Sequence, residues 1–359
     1  MNERLTVRMW KKGWKTVVLL LMAAALAACG AGRDAEGAGA TGGEPAGVQA
    51  GQEPDSGHHT GVASQSGDGR ADDRDAGKQT VYPLTVVDAT GTEVTLEAAP
   101  QRIVSTSPSE TEILFALGLG DRIVAVSDYD NYPAEALDKP KIGGTWDPNE
   151  EAILAMQPDL VIGGISMKPE IAERLRSLGV VLYKANPGTL EEAVDTILQI
   201  GVLTGTQEKA EELAAAMRED LRRVTEAAAT VPEEEKVKVY LEFAPGWTVG
   251  KGEYLDEMIR LAGGINIAGD TEGWTMINEE HVIAQNPDVI LYAADLIDME
   301  TGKPFDELIR SRPGWDSITA ILENRLYGLS EDIISRTGPR ITDALLQVAE
   351  ALYPGMIAR

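Results

Sequence analysis

The chain has 359 residues, with 32 lysines and arginines against 58 aspartates and glutamates, and a net charge of −26. Such acidity argues against binding to nucleic acid and against broad contact with anionic lipid. The chain has a single cysteine, so we expect the fold to depend on its hydrophobic core without a disulfide.

The amino terminus has the pattern of a signal peptide, predicted over residues 1–28. Five basic side chains precede an apolar run that begins at Val17 and ends at Ala28. A run of about 12 residues is too short to span a bilayer, which needs about 20. The run leads into Cys29 and so resembles a bacterial lipoprotein signal, in which the cysteine is diacylated and becomes the new amino terminus. An ordinary secretory signal with an incidental cysteine is the alternative.

Residues 29–81 are predicted to form a lipid-anchored flexible linker. They are rich in glycine, alanine and polar residues and have almost no large apolar side chain, so they cannot bury enough surface to fold. His58 and His59 lie in this segment and are interpreted as solvated loop residues.

The folded part is predicted to comprise an amino-terminal lobe over 82–206, a connecting helix over 207–230 and a carboxyl-terminal lobe over 231–359. Short apolar runs alternate with helical patterns, which is typical of parallel sheets covered by helices. Strands are predicted at 102–106, 122–127, 160–162, 180–183, 237–241 and 289–292. A helix is expected to begin at Ser109 as its N-cap, with Glu112 as the capping-box partner. The long run of helix formers from Gln207 to Ala229 predicts either a surface helix or a rigid strut between two lobes.

An internal repeat supports two lobes of similar build. Residues 149–162 and 278–291 match at a constant offset, and both read Asn-Glu-Glu, an apolar helical face, Pro-Asp and a buried strand. Each copy presents an acidic pair at the first turn of a helix, Glu150-Glu151 or Glu279-Glu280. Capping of the helix dipole explains either pair alone but does not explain why both lobes carry one.

The chain lacks the residue patterns of common enzymes, so we expect no catalytic activity. The folded part has one histidine, His281, and no cysteine, and it lacks the usual nucleophile, phosphate-binding and zinc motifs. A triad that uses His281 is formally possible, but a solvated histidine is the preferred interpretation. Clustered metal ligands are absent from the sequence, so no bound metal or cofactor is expected.

Tryptophans precede both copies of the repeat. Trp146 lies before the first and Trp274 before the second, and neighbouring glycine and proline predict that both lie in loops. Loops at strand ends are where α/β folds bind ligands, so the two rings are candidates to face each other across a cleft; packing on the core of each lobe is the alternative.

The segment 82–359 resembles the substrate-binding proteins of ABC importers for vitamin B12, ferric siderophores and haem. The resemblance is carried by five groups of motifs: Arg102–Ser105 with Ser107-Pro108, Asp130–Pro133, Gly143-Gly144 with the two Pro-Asp-strand units, Leu261–Gly264, and Arg336–Arg340. It implies an α/β fold of two Rossmann-like lobes with central parallel sheets, joined by one long rigid α-helix, with the ligand cleft between the lobes.

The branch that binds B12 matches best. Its resemblance implies that the ligand-binding residues are Pro108, Tyr132, Trp146, Trp247, Trp274, Asp332 and Arg336. Aromatic faces suit a large, flat, mostly apolar corrin ring, and a few polar groups fix its orientation. Arg336 and Tyr132 keep a ferric siderophore or haem as alternatives. A surface lipoprotein with a structural or sensory role is a third hypothesis.

The same resemblance implies that Glu151 and Glu280 dock onto arginines of a membrane permease dimer, which a cytoplasmic ATPase drives. We expect a monomeric receptor on the outer face of a cell membrane. The lipid anchor and the long linker depart from the B12 receptors of bacteria with two membranes and suggest a Gram-positive source.

Overall fold

The computed structural model describes residues 79–298 and 301–357. The predicted signal peptide, Cys29 and the linker up to residue 78 lie outside these residues. Among the described helices, none is long and apolar enough to cross a membrane. The residues from Lys78 onward group into one compact unit.

The described residues form twelve strands and eleven α-helices. The strands are β1 Leu84–Val87, β2 Glu93–Leu96, β3 Ile103–Ser105, β4 Ile123–Ala125, β5 Leu160–Gly163, β6 Leu182–Lys184, β7 Lys238–Glu242, β8 Trp247–Val249, β9 Ile265–Asn266, β10 Trp274–Met276, β11 Val289–Ala293 and β12 Leu326–Leu329. The helices are α1 Pro108–Ala116, α2 Glu150–Ala155, α3 Pro169–Ser177, α4 Leu190–Thr204, α5 Gln207–Ala228, α6 Tyr254–Leu261, α7 Glu279–Gln285, α8 Phe305–Arg310, α9 Thr319–Leu322, α10 Glu331–Ile334 and α11 Ile341–Leu352.

Each lobe is built on a four-stranded parallel sheet. The order is β4-β3-β5-β6 in the amino-terminal lobe and β12-β11-β7-β9 in the carboxyl-terminal lobe. Two antiparallel pairs, β1–β2 and β8–β10, stand apart from these sheets. The predicted fold class, with two parallel α/β lobes joined by a long helix, is confirmed.

The two faces of each sheet are buried against different cores. Ile103 of β3 and Leu241 of β7 belong to one core that continues through both lobes, while Val104 and Tyr240 point into cores that belong to a single lobe. Because side chains alternate along a strand, near-continuous apolar runs are needed where both faces are covered. This explains why the strands appeared in the sequence as short unbroken apolar segments.

The Pro-Asp units of the repeat have the same structural task in both lobes. The Asp159 carboxylate accepts hydrogen bonds from the backbone N–H groups of Gln101 and Arg102, at 2.8 and 2.9 Å, just before β3. The Asp288 carboxylate accepts one from the N–H of Lys238, at 2.8 Å, at the start of β7. Each aspartate therefore ties its own strand to the neighbouring central strand.

The connecting helix α5 is 22 residues long, about 33 Å at 1.5 Å per residue. It packs against α4 of the first lobe and α11 of the second. At the contact with α4, a Cβ on Gly201 would lie 2.4 Å from the Cβ of Ala210, so only glycine fits there. The helix thus lies against both lobes along its length and belongs to the shared core.

The start of α1 differs from the sequence expectation. The N-cap is Ser107, followed by Pro108 at the first helical position, and the Ser107 hydroxyl donates to the Glu110 carboxylate. The two side chains that contact each other across the first turn are therefore Ser107 and Glu110. The prediction that Ser109 caps the helix with Glu112 as its partner was wrong. A proline at N1 loses no helical hydrogen bond, which explains why the helix begins there.

Candidate ligand cleft and docking face

Three of the predicted ligand-binding residues, Pro108, Tyr132 and Asp332, follow the carboxyl ends of parallel strands. Pro108 follows β3 and Tyr132 follows β4, while Asp332 lies in α10, immediately after β12. In parallel α/β sheets this edge is where loops converge to form binding sites. The structure therefore brings residues from both lobes to one boundary.

Two aromatic rings come from the amino-terminal lobe. The Tyr132 side chain is 48% exposed, and the Arg340 guanidinium carbon lies 4.0 Å from its ring centroid. Trp146 is half-buried in a loop, as predicted, and the Lys168 ammonium lies 5.7 Å from its ring centroid. Lys168 also pairs with Asp147 at 3.4 Å. The rings are thus held by cations rather than packed into the core of the lobe.

Two tryptophans of the carboxyl-terminal lobe, Trp247 and Trp274, lie on the antiparallel strand pair β8–β10. Trp274 of β10 faces Val249 of β8 across the strands, and Trp247 faces Met276. Because residues directly opposite each other share a face, as do residues two apart, all four side chains are on the same side of this strand pair. The loop predicted for Trp274 was wrong, since the residue lies within a strand.

This face of the β8–β10 pair is packed against neighbouring side chains at Trp274 and exposed at Met276. Trp274 packs edge-on against Phe243, with ring centroids 5.0 Å apart, and it hydrogen-bonds the Glu253 carboxylate. Met276 is 65% exposed. The indole nitrogens of Trp146 and Trp247 are buried and have no hydrogen-bond partner among the described residues, so what these rings offer a ligand is their faces.

A polar network joins the two lobes. Arg336 donates to the Glu112 carboxylate at 2.9 Å and also pairs with Asp332. Arg340 donates to both oxygens of the same Glu112, at 2.9 and 2.6 Å. The Asn131 amide completes the contact by donating to Asp332 at 2.8 Å. Both arginines of the Arg336–Arg340 segment are therefore matched by carboxylates.

Gly338 allows the segment Arg336–Arg340 of the second lobe to lie close to α1 of the first. A Cβ on Gly338 would lie 3.2 Å from the backbone oxygen of Ser109 on α1. This spacing lets the segment from the second lobe lie directly on the helix of the first.

Further carboxylates surround this network on the carboxyl-terminal lobe. Asp295 follows β11, and it accepts hydrogen bonds from the Ser330 hydroxyl and the backbone N–H of Glu331. Burial, together with the charges of Asp332 and Asp295, raises the pKa of Glu331 to about 7. The rim of the cleft on this side is thus rich in acids.

Sequence reasoning missed four residues of this region: Glu112, Arg340, Phe243 and Met276. From the sequence, Glu112 was assigned to helix capping. In the structure it is buried, and a buried carboxylate needs a charged partner. Arg340 belongs to a motif that the sequence did reveal. Phe243 directly follows β7, a position that can be recognised once the end of that strand is known.

The two docking candidates, Glu151 and Glu280, differ from the neighbouring acids Glu150 and Glu279 in their ion pairing. Glu150 pairs with Arg174 at 2.7 Å, and Glu279 lies 3.4 Å from Arg312. Glu151 and Glu280 are exposed, and neither forms an ion pair within the described part of the chain. The same arrangement recurs in both lobes because Asn149 and Asn278 cap the two helices, α2 and α7, at equivalent positions.

No cluster of three or more histidine, cysteine, aspartate or glutamate side chains in the described residues is placed to hold a metal ion.

Two α/β lobes, one long connecting helix and aromatic residues at the lobe boundary define the class of two-lobed solute-binding proteins. Residues 103–333 match the model of the family described as "periplasmic binding protein". The chain belongs to this family.

Relatives and solved structures agree with this assignment. The chain is 32% identical, over 77% of its length and 88% of the relative, to an "uncharacterized ABC transporter substrate-binding lipoprotein YvrC" of Bacillus subtilis. It is 31% identical, over 70% of its length and 89% of the relative, to a "vitamin B12-binding protein" of Vibrio cholerae. The crystal structure of the vitamin B12-binding protein BtuF of Vibrio cholerae superposes with a TM-score of 0.62 at 28% identity, covering 71% of this chain and 97% of that one.

Proposed function

We propose that this chain is the extracytoplasmic receptor of an ABC importer, captures a corrinoid of the vitamin B12 type and delivers it to the permease. In this proposal Cys29 carries the lipid anchor, and the protein binds and releases its ligand without chemical change. Relatives whose names specify B12 binding cover about 70% of the chain and support the choice of ligand.

The observation that carries the proposal is that aromatic rings from both lobes lie at one boundary, where the charges of the two arginines are neutralised by Glu112. Tyr132 and Trp146 come from one lobe, and Trp247 and Trp274 from the other. A corrin is a broad, flat ring with amide groups around its edge, so it gains most from flat apolar surfaces and few charges.

The charges argue against an anionic ligand. Arg336 and Arg340 are the cations that a ferric catecholate or the haem propionates would use, and both are held by Glu112. Glu331 and Asp295 add further negative charge at the same edge. An anionic ligand would have to displace these carboxylates, which costs the energy of buried charge-assisted hydrogen bonds.

A ferric siderophore or haem remains the alternative ligand. Lys251 is exposed at the end of β8 and is the feature that an anionic ligand would use. A surface lipoprotein with a structural or sensory role is the third hypothesis, and it requires no ligand at the cleft.

Titration of residues 79–359 with cyanocobalamin tests the proposal. We expect quenching of tryptophan fluorescence at micromolar ligand or below, and a matching heat in isothermal titration calorimetry. Trp146→Leu and Trp274→Leu should each weaken binding by about fivefold, since loss of a stacked aromatic removes about 1 kcal/mol beyond area burial. Glu173→Gln, far along α3 on an exposed surface, is the control that should bind as wild type.

Binding of a ferric siderophore or haem in place of cyanocobalamin would overturn the ligand assignment. Absence of binding to all three would favour the structural or sensory role.

A further inference from the structure

Glu112 is a buried carboxylate between the two lobes. Its side chain is 2% exposed, it lies on α1 in the first lobe, and its two oxygens receive hydrogen bonds from Arg336 and Arg340 of the second. A carboxylate in this position is stable only while it is paired, and it holds both guanidinium groups in fixed orientations.

The two arginines differ in how firmly other groups hold them. Arg336 is buried and pairs with Asp332 as well as Glu112. Among the residues that the structure describes, Arg340 forms an ion pair with Glu112, and its guanidinium lies over the Tyr132 ring. Loss of the Glu112 charge would therefore leave Arg340 as a cation stacked on an exposed aromatic at the cleft.

We infer that Glu112 sets the charge preference of the cleft, by neutralising Arg336 and Arg340 so that an uncharged ligand binds better than an anionic form of the same ligand. The inference rests on the proposed ligand cleft and deepens it. Glu112 acts as a positioning residue, because the groups it would influence at the cleft are the two arginines and, through Arg340, the ring of Tyr132.

The primary test compares two ligands that differ by one charge. These are cyanocobalamin and its monocarboxylic acid, in which one peripheral amide is hydrolysed to a carboxylate. We expect wild type to prefer the amide, and Glu112→Gln to reduce that preference by about tenfold, as expected for removal of one nearby charge in a partly buried site. Affinities are measured by calorimetry.

Asp128→Asn is the matched control. Asp128 is an exposed carboxylate in the same loop region as Tyr132, and it forms no ion pair with any residue that the structure describes. This variant removes one negative charge near the cleft without touching the arginines. Its preference between the two ligands should remain that of wild type. An equal change in both variants would mean that general charge, rather than Glu112, sets the preference.

A second measurement does not require a corrinoid. The thermal unfolding midpoint of wild type and of each variant is measured at increasing citrate concentration and constant ionic strength. We expect citrate to raise the midpoint of Glu112→Gln more than that of wild type, and the gain to disappear in the double variant Glu112→Gln/Arg340→Gln. Glu112→Asp, which keeps the charge but withdraws it by one methylene, should give an intermediate gain and replaces the glutamine variant if that variant does not fold.

No gain of citrate response in either Glu112 variant would overturn the inference. Failure of every corrinoid to bind, together with a citrate gain in Glu112→Gln, would overturn the proposed ligand and leave the role of Glu112 supported.

Discussion

Individual buried carboxylates account for much of the electrostatic character of this protein. Glu110 lies two residues before Glu112 on the same helix, about half a turn away, and its surroundings differ. It is fully buried, and desolvation raises its pKa from 4.5 to about 7, although the Ser107 hydroxyl and the Lys184 charge act in the opposite direction. Glu112 faces two arginines, whereas Glu110 faces a hydroxyl. Two glutamates on one helix therefore have different electrostatic roles because different groups contact them.

The raised pKa of Glu110 predicts a pH-dependent stability. A carboxyl group whose pKa is higher in the folded state contributes stability that is complete below the unfolded pKa of about 4.5 and is lost as pH rises through about 7. Glu110→Gln should therefore flatten the fall in unfolding free energy between pH 5 and 8, by about 3 kcal/mol for a shift of this size. Urea unfolding at several pH values measures it.

Glu331 titrates in the same range, so some slope should remain in Glu110→Gln. Glu173→Gln, on an exposed face of α3, should keep the wild-type profile. An unchanged profile in Glu110→Gln would contradict the prediction.

At the scale of secondary structure, elements with strong local patterns were predicted from the sequence, and elements held by distant contacts were not. The buried parallel strands and α5 were predicted because continuous apolar runs and long runs of helix formers are strong local signals. The two antiparallel strand pairs β1–β2 and β8–β10 were missed. Their strands are three or four residues long, and they are held by distant partners, such as the pairing of Asp88 with Arg176.

The ligand site could be predicted in part for the same reason. Tyr132, Asp332 and Arg336 were proposed as site residues because motifs around them resemble those of a known family. The role of Glu112 required knowledge that α1 faces the segment Arg336–Arg340, which is more than 220 residues away in the chain. A single sequence carries no local signal for such a contact, and the capping pattern gave Glu112 a competing explanation.

The contact between α4 and α5 provides a stability test at this scale. Gly201→Ala would place a Cβ 2.4 Å from that of Ala210 and force the two helices apart. We expect a loss of about 1–3 kcal/mol in unfolding free energy, as is usual for overpacked cores. Chemical denaturation measures the change.

Gly188→Ala, just before α4, is the control for adding a methyl group to a glycine away from the α4–α5 contact. The nearest atom to a Cβ at Gly188 is a flexible Glu192 oxygen at 3.4 Å, and the backbone there is ordinary. That variant should be nearly as stable as wild type. A similar loss in both variants would show that the α4–α5 contact is looser than the structure indicates.

For the whole molecule, the repeat places one unpaired acid on each lobe. We propose that Glu151 and Glu280 dock onto the permease, and that the two contacts together fix the orientation of the receptor. The double variant Glu151→Ala/Glu280→Ala should reduce ligand uptake by about tenfold at limiting receptor, since two exposed ion pairs of about 0.7 kcal/mol each correspond to that factor. Uptake of labelled ligand by cells measures it.

The neighbouring pair gives a control with the same change in charge. Glu150→Ala/Glu279→Ala removes acids from the same two helical turns, but these side chains are already engaged by Arg174 and Arg312. Its uptake should remain well above that of the first double variant. Normal uptake with both Glu151 and Glu280 removed would refute the docking proposal.

The connection between the lobes also predicts limited closure on ligand binding. The helix α5 packs against both lobes, and one hydrophobic core continues from the first sheet to the second. Large rotation would break this core, whereas the Glu112 network at the cleft can adjust through side chains. X-ray scattering with and without ligand should give radii of gyration that agree within experimental error. A clear decrease on binding would show that the connection bends.

The continuous core has a consequence for the history and folding of the chain. The matched Asn-Glu-Glu and Pro-Asp segments have the appearance of two modules, each with its own sheet. Residues such as Ile103 and Leu241 nevertheless share one core through α5, so either half alone would expose an apolar face that its partner now covers. The halves are therefore expected to melt together in a single calorimetric transition rather than in two. Whatever independence the two units once had, they now form one cooperative folding unit.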